Sequence, residues 1–185
     1  YPRYHEQDDS YDTYWQSRDT QKELNSFQLE RARLLSRLVK EGESILDVGC
    51  GDGAILAYVR EHAKPGRLAG IDSSPFIAKA ARRRGIEVTL GDVRNPKSIP
   101  LSEKFDHVVL FEVLEHMANA EELLRWVAGC ARKTVIFSVP NTGFFLHRLR
   151  LVLGRFPLQW RAHPGEHLRF WTVRDMRWWL NSIDC

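Results

Sequence analysis

The sequence predicts an α/β domain with a doubly wound, mostly parallel sheet, and two patterns support that fold class. Short apolar runs of strand length alternate along the chain with segments whose apolar residues recur at helical spacing. The runs occupy 44–48, 67–71, 86–90, 105–111 and 133–139, and the helical segments lie near 53–63, 75–84 and 119–128. Strands separated by helices favour right-handed crossovers, which give a parallel sheet with helices on both faces.

The first and last elements are indicated by local patterns. Before the first strand, apolar residues recur at helical spacing over 21–40, and Gly42 ends this helix. After a helical stretch near 172–181 the sequence is typical of a turn that enters another strand. We therefore expect the C-terminal strands of the sheet to be missing from this chain.

Two helix boundaries are also predicted by residue type. Ser74 followed by Pro75 predicts a helix start, because serine caps a helix and proline suits its first position. Asn119 with Glu122 three residues later predicts another start, and Gly129 the end of that helix.

The composition bounds the class of protein. The chain has 185 residues, of which 43% are hydrophobic and 28% charged, as is ordinary for one globular domain. No apolar run approaches the roughly 20 residues needed to cross a bilayer. Its three cysteines, Cys50, Cys130 and Cys185, include no C-x-x-C pair, so neither a disulfide framework nor a structural zinc site is indicated. We therefore expect a cytoplasmic location and no transmembrane segment.

The charge balance argues against a nucleic-acid partner. The formal net charge is only +3, although residues 147–185 contain seven arginines and four of the six tryptophans. Basic residues interleaved with aromatic ones occur at nucleic-acid interfaces. More often they cover the edge of a core or an apolar ligand pocket, and we expect no nucleic-acid partner here.

A glycine loop follows the first predicted strand, within the sequence 45–53. Its three glycines let the backbone turn tightly and let a ligand approach where a Cβ would block it. The loop also satisfies the dinucleotide fingerprint with Ala54 in third place, which would suit a nucleotide-dependent oxidoreductase. Asp47 and Asp52 disfavour that alternative, because a pyrophosphate would meet two carboxylates. The same charges favour a ligand with an ammonium and a sulfonium group and no phosphate.

Two further acids follow the next two strands. Asp72 ends the second run, where its carboxylate could accept hydrogen bonds from both hydroxyls of a ribose. Asp92 follows the third run, where it could accept a hydrogen bond from an adenine amino group. Because the carboxyl ends of parallel strands meet at one edge of a sheet, these acids together predict a nucleoside site.

These segments together resemble the class I S-adenosylmethionine-dependent methyltransferases. The resemblance covers about 44 to 140 and includes the glycine loop, Gly70-Ile71-Asp72, Gly91-Asp92 and Phe105-Asp106 through Glu115-His116. From there to about residue 176 the chain is similar to the methionine-biosynthesis protein family MetW, through Val139-Pro140-Asn141, His167-Leu168 and Thr172-Val173-Arg174-Asp175. The stretch 111–116 departs from MetW and resembles the ubiquinone-biosynthesis O-methyltransferases, which favours real methyl transfer.

The resemblance implies a Rossmann-like fold and S-adenosyl-L-methionine as the cofactor. The strand order would be 3-2-1-4-5 followed by 7 and 6, so that the glycine loop and residues 111–116 lie side by side where the order reverses. Residues 1–43 would be an N-terminal segment and helix covering the cofactor site, and 44–185 the methyltransferase domain. The cofactor-binding residues that we expect are Asp47, Gly49, Cys50, Gly51, Gly53, Asp72, Ser73, Asp92, Val93, Phe111 and, from the N-terminal segment, Arg18.

Three residues after the fourth strand are the catalytic candidates. Methyl transfer needs a general base only if the acceptor must lose a proton. His116 is the expected base, with Glu112 or Glu115 as an orienting group or second base. Alternatively, these residues pack beneath the cofactor.

Two further sets of residues each admit two interpretations. The spacing of His163, Glu166 and His167 is compatible with metal ligation, but the Pro164-Gly165 pair opposes a helix that presents both histidines on one face. We therefore expect a loop that lines the acceptor pocket and no metal. Arg18 could pair with the methionyl carboxylate of the cofactor, or belong to a surface-packed turn.

The sequence therefore predicts methyl transfer to an oxygen or nitrogen of a small-molecule acceptor. The alternative is a MetW-like regulatory partner of a homoserine acyltransferase in methionine biosynthesis. Residues 144–156 form a basic amphipathic pattern, with Phe145, Leu149, Val152 and Phe156 on one face of a helix. We expect this segment to be a lid over the acceptor pocket, and peripheral contact with an anionic membrane is the second interpretation.

Overall fold

All five predicted strands are present in the computed structural model of the protein, where they form one parallel sheet. The structure describes residues 24–157, 159 and 167–183. The strand order is β3-β2-β1-β4-β5, as the resemblance implied, and every neighbouring pair is parallel. In chain order the strands are β1 (Ser44–Val48), β2 (Arg67–Asp72), β3 (Glu87–Leu90), β4 (Phe105–Phe111) and β5 (Ala131–Ser138).

Helices connect and flank these strands within the described residues. They are α1 (Ser26–Leu38), α2 (Ala54–Ala63), α3 (Pro75–Arg83), α4 (Ala120–Cys130), α5 (Phe145–Val152) and α6 (Val173–Ser182). Two single-turn 3₁₀ helices lie at Pro96–Ser98 and Leu114–His116.

Capping explains where two of the helices begin. The Asn25 side chain accepts a hydrogen bond from the Gln28 N–H at 3.0 Å, and Gln28 Oε1 accepts one from the Asn25 N–H at 3.1 Å, which is a capping box at the start of α1. Ser74 Oγ accepts a hydrogen bond from the Ile77 N–H at 3.2 Å, ahead of Pro75 in the first turn of α3. The start predicted from the Ser74-Pro75 pair is therefore confirmed.

The predicted end of α4 at Gly129 is wrong. The helix runs one residue further, and β5 begins at once with Ala131, which already pairs with β4. A helix that leads directly into a paired strand needs no glycine to end it. Asn119 does precede α4, but its side chain donates a hydrogen bond to Glu122 Oε2 at 3.1 Å and does not cap the helix backbone.

Both faces of the sheet are apolar, and each has its own hydrophobic cluster. In β4, the buried Val108 and Leu110 belong to one cluster and the buried Val109 to the other, because successive side chains of a strand point to opposite faces. The first cluster includes Leu123 of α4 and Trp179 of α6. The second contains buried residues of α1, α2 and α3, among them Leu35, Leu56 and Ala78. The sheet is thus covered on both faces, as predicted.

The order of the strands reverses at β1, which has β2 on one side and β4 on the other. In open parallel sheets a ligand crevice forms at this point, beyond the carboxyl ends of the strands. The loops after β1 and β4 meet there, since a Cβ added to Gly49 would lie 2.7 Å from Val113 Cγ2. The predicted proximity of the glycine loop and residues 111–116 is confirmed.

The segment 144–156 is helical only over the eight residues of α5. Gly154, in the left-handed region with φ of 67°, follows the helix, and Phe156 beyond it packs edge-on to Phe170 with ring centroids 5.3 Å apart. No residue of α5 is buried, so its apolar face is exposed in this structure, and the lid and the membrane contact both stay predictions. Among the described helices, none has the length and apolar character that a membrane span requires.

Candidate active site

The glycine loop after β1 has the backbone that its sequence predicts. Gly49, Gly51 and Gly53 have φ values of 81°, 55° and 71°, a region that residues with a Cβ rarely adopt. The N–H groups of Gly49 and Cys50 both donate hydrogen bonds to Ile71 O, at 2.8 and 3.0 Å. These bonds attach the loop to the neighbouring strand β2, so its shape is fixed by the backbone.

Asp72 connects the same loop to the end of β2. Its carboxylate is buried, and it accepts hydrogen bonds from the Gly51 N–H and the Ser74 N–H, both at 3.0 Å. Each carboxylate oxygen has more than one lone pair, so these bonds leave capacity for further donors. A contact between Asp72 and ribose hydroxyls remains a prediction, and the structure adds a role in fixing the loop.

Asp47 is the charged group of β1 and is only 3% exposed. Burial, reinforced by the nearby Asp72 carboxylate, raises the pKa of Asp47 to about 7. Within the part of the chain that the structure describes, no arginine, lysine or histidine forms an ion pair with it. A cationic group of a ligand would compensate this charge, which fits the ammonium group expected from the sequence.

Asp52 is less available than the sequence suggested. Its Oδ2 lies 3.2 Å from Arg84 Nη2, and its Oδ1 accepts a hydrogen bond from the Ala54 N–H at the start of α2. Because Arg84 compensates part of the charge of Asp52, repulsion of a pyrophosphate would come mainly from the carboxylate of Asp47.

Asp92 also has a basic neighbour. It forms an ion pair with Arg94, whose Nη2 is 2.9 Å from Asp92 Oδ2, and this contact lowers the pKa of Asp92. An adenine amino group would share this carboxylate with Arg94. Val93 between them is half-buried against the core, and Ser73 after Asp72 is exposed.

The remaining predicted cofactor residues differ in what they offer. Phe111 is half-buried at the carboxyl end of β4. The Cys50 side chain is buried against Gly70, where an added Cβ would meet its sulfur at 2.5 Å, and its thiol donates a hydrogen bond to Gly51 O at 3.7 Å. Arg18, like His163 and Glu166, lies outside the described residues.

Glu112 is the first of the three catalytic candidates and is held by partners from two other elements. Its φ of 57° places a residue with a side chain in the left-handed region, which costs energy and often marks a functional site. Its carboxylate accepts a hydrogen bond from Ser138 Oγ at 2.9 Å and forms an ion pair with Arg31 Nη2 at 2.7 Å. Sequence reasoning missed Arg31, because one arginine on a helix gives no signal of a partner far along the chain.

Glu115 is fully buried, and neither of its carboxylate oxygens accepts a hydrogen bond from any described residue. Burial, and then the negative charge of Glu112, raise the pKa of Glu115 to about 8. A protonated Glu115 could donate its proton to Glu112, so the two carboxyls form a pair that can hold and release one proton near neutral pH.

His116 follows Glu115 and is exposed, with its ring 4.8 Å from that of His167 in an edge-on contact. The N–H groups of Leu168 and Arg169 donate hydrogen bonds to Glu115 O, at 2.7 and 3.2 Å. The Arg169 side chain donates further bonds to the backbone of residues 117–118 and to Glu121. These contacts fix residues 167–169 beside the catalytic candidates, a role for Arg169 that the sequence did not indicate.

No metal ligands were predicted from the sequence, but the structure brings His167 next to a different pair of residues. One potential ligand atom each from Glu115, His116 and His167 lie within 4.8 Å of one another. Carboxylate oxygen and imidazole nitrogen are ligands that Zn²⁺ and related ions accept, so this group could hold such an ion.

A cavity of about 510 Å³ lies between α5 and α6. It is lined by Asn141, Gly143, Arg148, Thr172, Val173, Arg174 and Arg177. None of these is a predicted cofactor residue, and Asn141 and Gly143 follow the carboxyl end of β5, the strand next to β4.

Comparison with known proteins decides the family. A family model described as a methyltransferase domain matches residues 18–185. The chain belongs to this methyltransferase family. A curated relative of this methyltransferase domain is the bifunctional methionine biosynthesis protein MetXA/MetW of Rhodopirellula baltica, 30% identical over 162 residues, which are 80% of this chain and 26% of that protein. The chain thus spans about a quarter of the length of that relative.

Two solved structures are similar to the methyltransferase domain. Coclaurine N-methyltransferase bound to N-methylheliamine and S-adenosylhomocysteine is 26% identical with a TM-score of 0.51, over 63% of this chain and 36% of that one. Magnesium protoporphyrin IX methyltransferase from Synechocystis PCC 6803, with bound S-adenosylhomocysteine, is 18% identical with a TM-score of 0.64, over 88% and 78%. The second likeness confirms the class I methyltransferase fold. The cofactor of the domain is S-adenosyl-L-methionine.

Proposed function

We propose that this methyltransferase domain transfers the methyl group of S-adenosylmethionine to an oxygen or nitrogen of a small-molecule acceptor. The observation that supports this proposal is the buried, unbonded carboxyl of Glu115 beside Glu112 and His116, at the point where the strand order reverses. Strongly perturbed pKa values cluster at catalytic sites, and Glu115 lies beside an exposed histidine, His116, that can exchange a proton with an acceptor.

The cofactor supplies an electrophilic methyl group on a sulfonium, and the chain's residues hold it in place. Asp47 would pair with the methionyl ammonium, since its buried charge has no described basic partner. Asp72 would accept hydrogen bonds from the ribose, and Asp92 from the adenine amino group. The glycine loop allows the ligand to approach the backbone because no Cβ intervenes.

The proton of the acceptor is the second task of the site. When the acceptor's lone pair forms the new bond to the methyl carbon, the carbon–sulfur bond breaks and its electron pair stays on sulfur. A hydroxyl acceptor loses its proton as the new bond forms, whereas a neutral amine becomes an ammonium group when it is methylated and then loses a proton. His116 is exposed, so it can reach an acceptor and take its proton. The proton could then pass to Glu112 and from there to the buried Glu115. The name of coclaurine N-methyltransferase supports nitrogen as one acceptor atom.

Two measurements test this function. Isothermal titration with S-adenosylhomocysteine and with NAD should show binding of the first and not of the second. Incubation with methyl-labelled S-adenosylmethionine and a panel of amines, phenols and carboxylic acids should then give a labelled product. Tight NAD binding with no response to S-adenosylhomocysteine would refute the proposal.

The second candidate function is a MetW-like regulatory role, and the 30% identity to MetXA/MetW over 80% of the chain favours it. Such a protein would bind a homoserine acyltransferase and need not transfer a methyl group. A stable complex with an acyltransferase in size-exclusion chromatography, with no product from the full acceptor panel, would support this role. Labelled product in the absence of any partner would favour the enzyme.

A further inference from the structure

Residues 144–156, together with the cavity between α5 and α6, form what we call the α5–α6 surface. Its first property is exposed apolar area. Phe145, Val152 and Leu153 are 66%, 83% and 67% exposed. The other exposed apolar side chains of the segment are Phe144, Leu146, Leu149, Leu151 and Phe156. Eight large apolar side chains exposed within one short segment are typical of an interaction surface.

Its second property is a concentration of positive charge. Residues 144–157 contain three arginines and no acid. One of them, Arg148 of α5, lines the cavity of about 510 Å³ together with Arg174 and Arg177 of α6, and no acidic residue lines it. Three guanidinium groups around one cavity provide the donors and the charge that a phosphate or another anion requires.

These guanidinium groups are available for a ligand. Within the described part of the chain, no carboxylate forms an ion pair with Arg148, Arg174 or Arg177. Asp175, which adjoins Arg174 in sequence, instead accepts hydrogen bonds from the N–H and the hydroxyl of Thr172, at 3.3 and 2.8 Å, in the capping box of α6. The acid nearest in sequence is therefore occupied with the start of the helix.

A tryptophan extends the apolar part of the surface onto α6. Trp178 is 71% exposed and lies four residues after Arg174, so the two side chains share one face of the helix. Tryptophan is enriched at the boundary between lipid headgroups and acyl chains, where its ring is apolar and its N–H is hydrated.

We propose that the α5–α6 surface docks on an anionic phospholipid membrane, with a lipid phosphate in the cavity between Arg148, Arg174 and Arg177. The exposed side chains of α5 enter the interface while the guanidinium groups stay at the level of the headgroups. The structure leaves the apolar face of α5 exposed, as contact with a bilayer requires. A protein partner would have to supply apolar and acidic groups together, whereas an anionic bilayer supplies both.

Vesicle sedimentation tests this surface. The chain should sediment with phosphatidylcholine vesicles that contain about one-third phosphatidylglycerol, and its partitioning onto pure phosphatidylcholine should be at least about tenfold weaker. The triple variant Arg148→Gln, Arg174→Gln, Arg177→Gln should lose at least about tenfold in partitioning onto the anionic vesicles. The double variant Phe145→Ser, Val152→Ser should lose binding to a similar degree with its charge unchanged.

The matched control removes three exposed positive charges elsewhere, in Lys79→Gln, Arg83→Gln, Arg125→Gln. Both triple variants lower the net charge by three, so a general effect of net charge would weaken both equally. The control should bind the anionic vesicles within about twofold of wild type, because its charges lie outside the α5–α6 surface. Titration with S-adenosylhomocysteine should be unchanged in every variant, which shows that each one folds. It also separates this proposal from the proposed function, because vesicle binding can fail while cofactor binding persists.

Four outcomes would overturn the proposal. The first is no sedimentation with anionic vesicles, and the second is equal loss in the control triple. The third is binding of inorganic phosphate in the cavity without binding of vesicles, which would assign the arginines to a soluble anion. Capture of an acidic protein by a chain that ignores vesicles would likewise assign the surface to a protein partner.

Discussion

The two sides of the crevice are built in different ways. On the cofactor side, the glycine loop and Asp72 come from two consecutive strands, and a direct hydrogen bond joins Gly51 to Asp72. On the acceptor side, Glu112 is held by Arg31 from α1 and Ser138 from β5, far along the chain in both directions. The first side is determined largely by local backbone, and the second by side chains that only the complete fold brings together.

This difference explains what a change on each side should do. The glycine loop on the cofactor side has backbone angles that would strain any residue with a Cβ. Substitutions there should therefore change both the affinity for the cofactor and the free energy of unfolding. The acceptor side is held by charged pairs and ring contacts around a buried carboxyl, so substitutions there should affect turnover more than fold.

The largest expected effect is on turnover. With an acceptor from the panel, His116→Ala should lower kcat by about 100- to 10,000-fold, because it removes the group proposed to take the acceptor's proton. The dissociation constant of S-adenosylhomocysteine, measured by titration, should change by less than about twofold, since no predicted cofactor contact is removed.

His62→Ala is the matched control for this variant. His62 is an exposed histidine of α2 that stacks on Tyr58, away from residues 111–116. Its loss should leave kcat within about twofold of wild type. Unchanged turnover in His116→Ala would return His116 to a packing role.

The next effect distinguishes two acids on the cofactor side. Asp72→Ala should weaken S-adenosylhomocysteine binding by about 10- to 100-fold, because it removes charge-assisted bonds to the ribose and releases the Gly51 N–H. Asp92→Ala should weaken it by no more than about tenfold, since Arg94 already occupies that carboxylate. Calorimetric titration of both variants gives the comparison, and a larger loss in Asp92→Ala would reverse the assignment.

The sequence predicted the backbone of the glycine loop well for a physical reason. The need for glycine at positions 49, 51 and 53 follows from the turn itself, and the acids follow the ends of strands that the apolar runs locate. All five strands were predicted from the apolar runs, whereas their order was implied by the resemblance to the class I methyltransferases. The end of α4 at Gly129 was predicted wrongly, because tertiary pairing of β5 decided it and not the local glycine.

The acceptor side could be predicted only as far as its local stretch 111–116. Glu112 contacts Arg31, and Arg169 contacts Glu121. The partners in each pair are far apart in the sequence, and no sequence pattern indicates that they meet. The burial of Glu115 also had no signal, since an acid in a polar stretch is usually exposed. The short length of α5 was missed because the apolar spacing continues past Gly154, where the backbone turns.

A smaller effect concerns pH and the buried Asp47. Its pKa is about 7 in the folded chain against an ordinary value of 3.8. The stability that it contributes is therefore fully present below about pH 4 and is lost as the pH rises through about 7. Asp47→Asn stays neutral, so between about pH 5 and pH 8 the unliganded wild type should lose stability relative to this variant, by at least about 1 kcal/mol in urea unfolding.

The cofactor should change this pH dependence in the opposite sense. An ammonium group beside Asp47 favours its ionised form, so S-adenosylhomocysteine should bind wild type more tightly as the pH rises towards 7. Titrations in buffers of different ionisation enthalpy should show release of a proton on binding below that pH. If Asp47→Asn shows the same pH dependence as wild type in both measurements, the ammonium group is placed wrongly.

The smallest effects come from two glycines that have open space around them, one in a helix and one with a left-handed backbone. A Cβ added to Gly129, inside α4, would meet nothing within 4 Å, and the same is true of Gly154 after α5. They differ in conformation, since only Gly154 has a positive φ, of 67°.

Gly129→Ala should therefore raise the free energy of unfolding by about 0.5–1 kcal/mol, because alanine loses less backbone entropy in a helix. Gly154→Ala should lower it by about 1 kcal/mol through strain alone. Urea unfolding of the two variants measures both signs, and stabilisation by Gly154→Ala would mean that the chain does not turn at this residue.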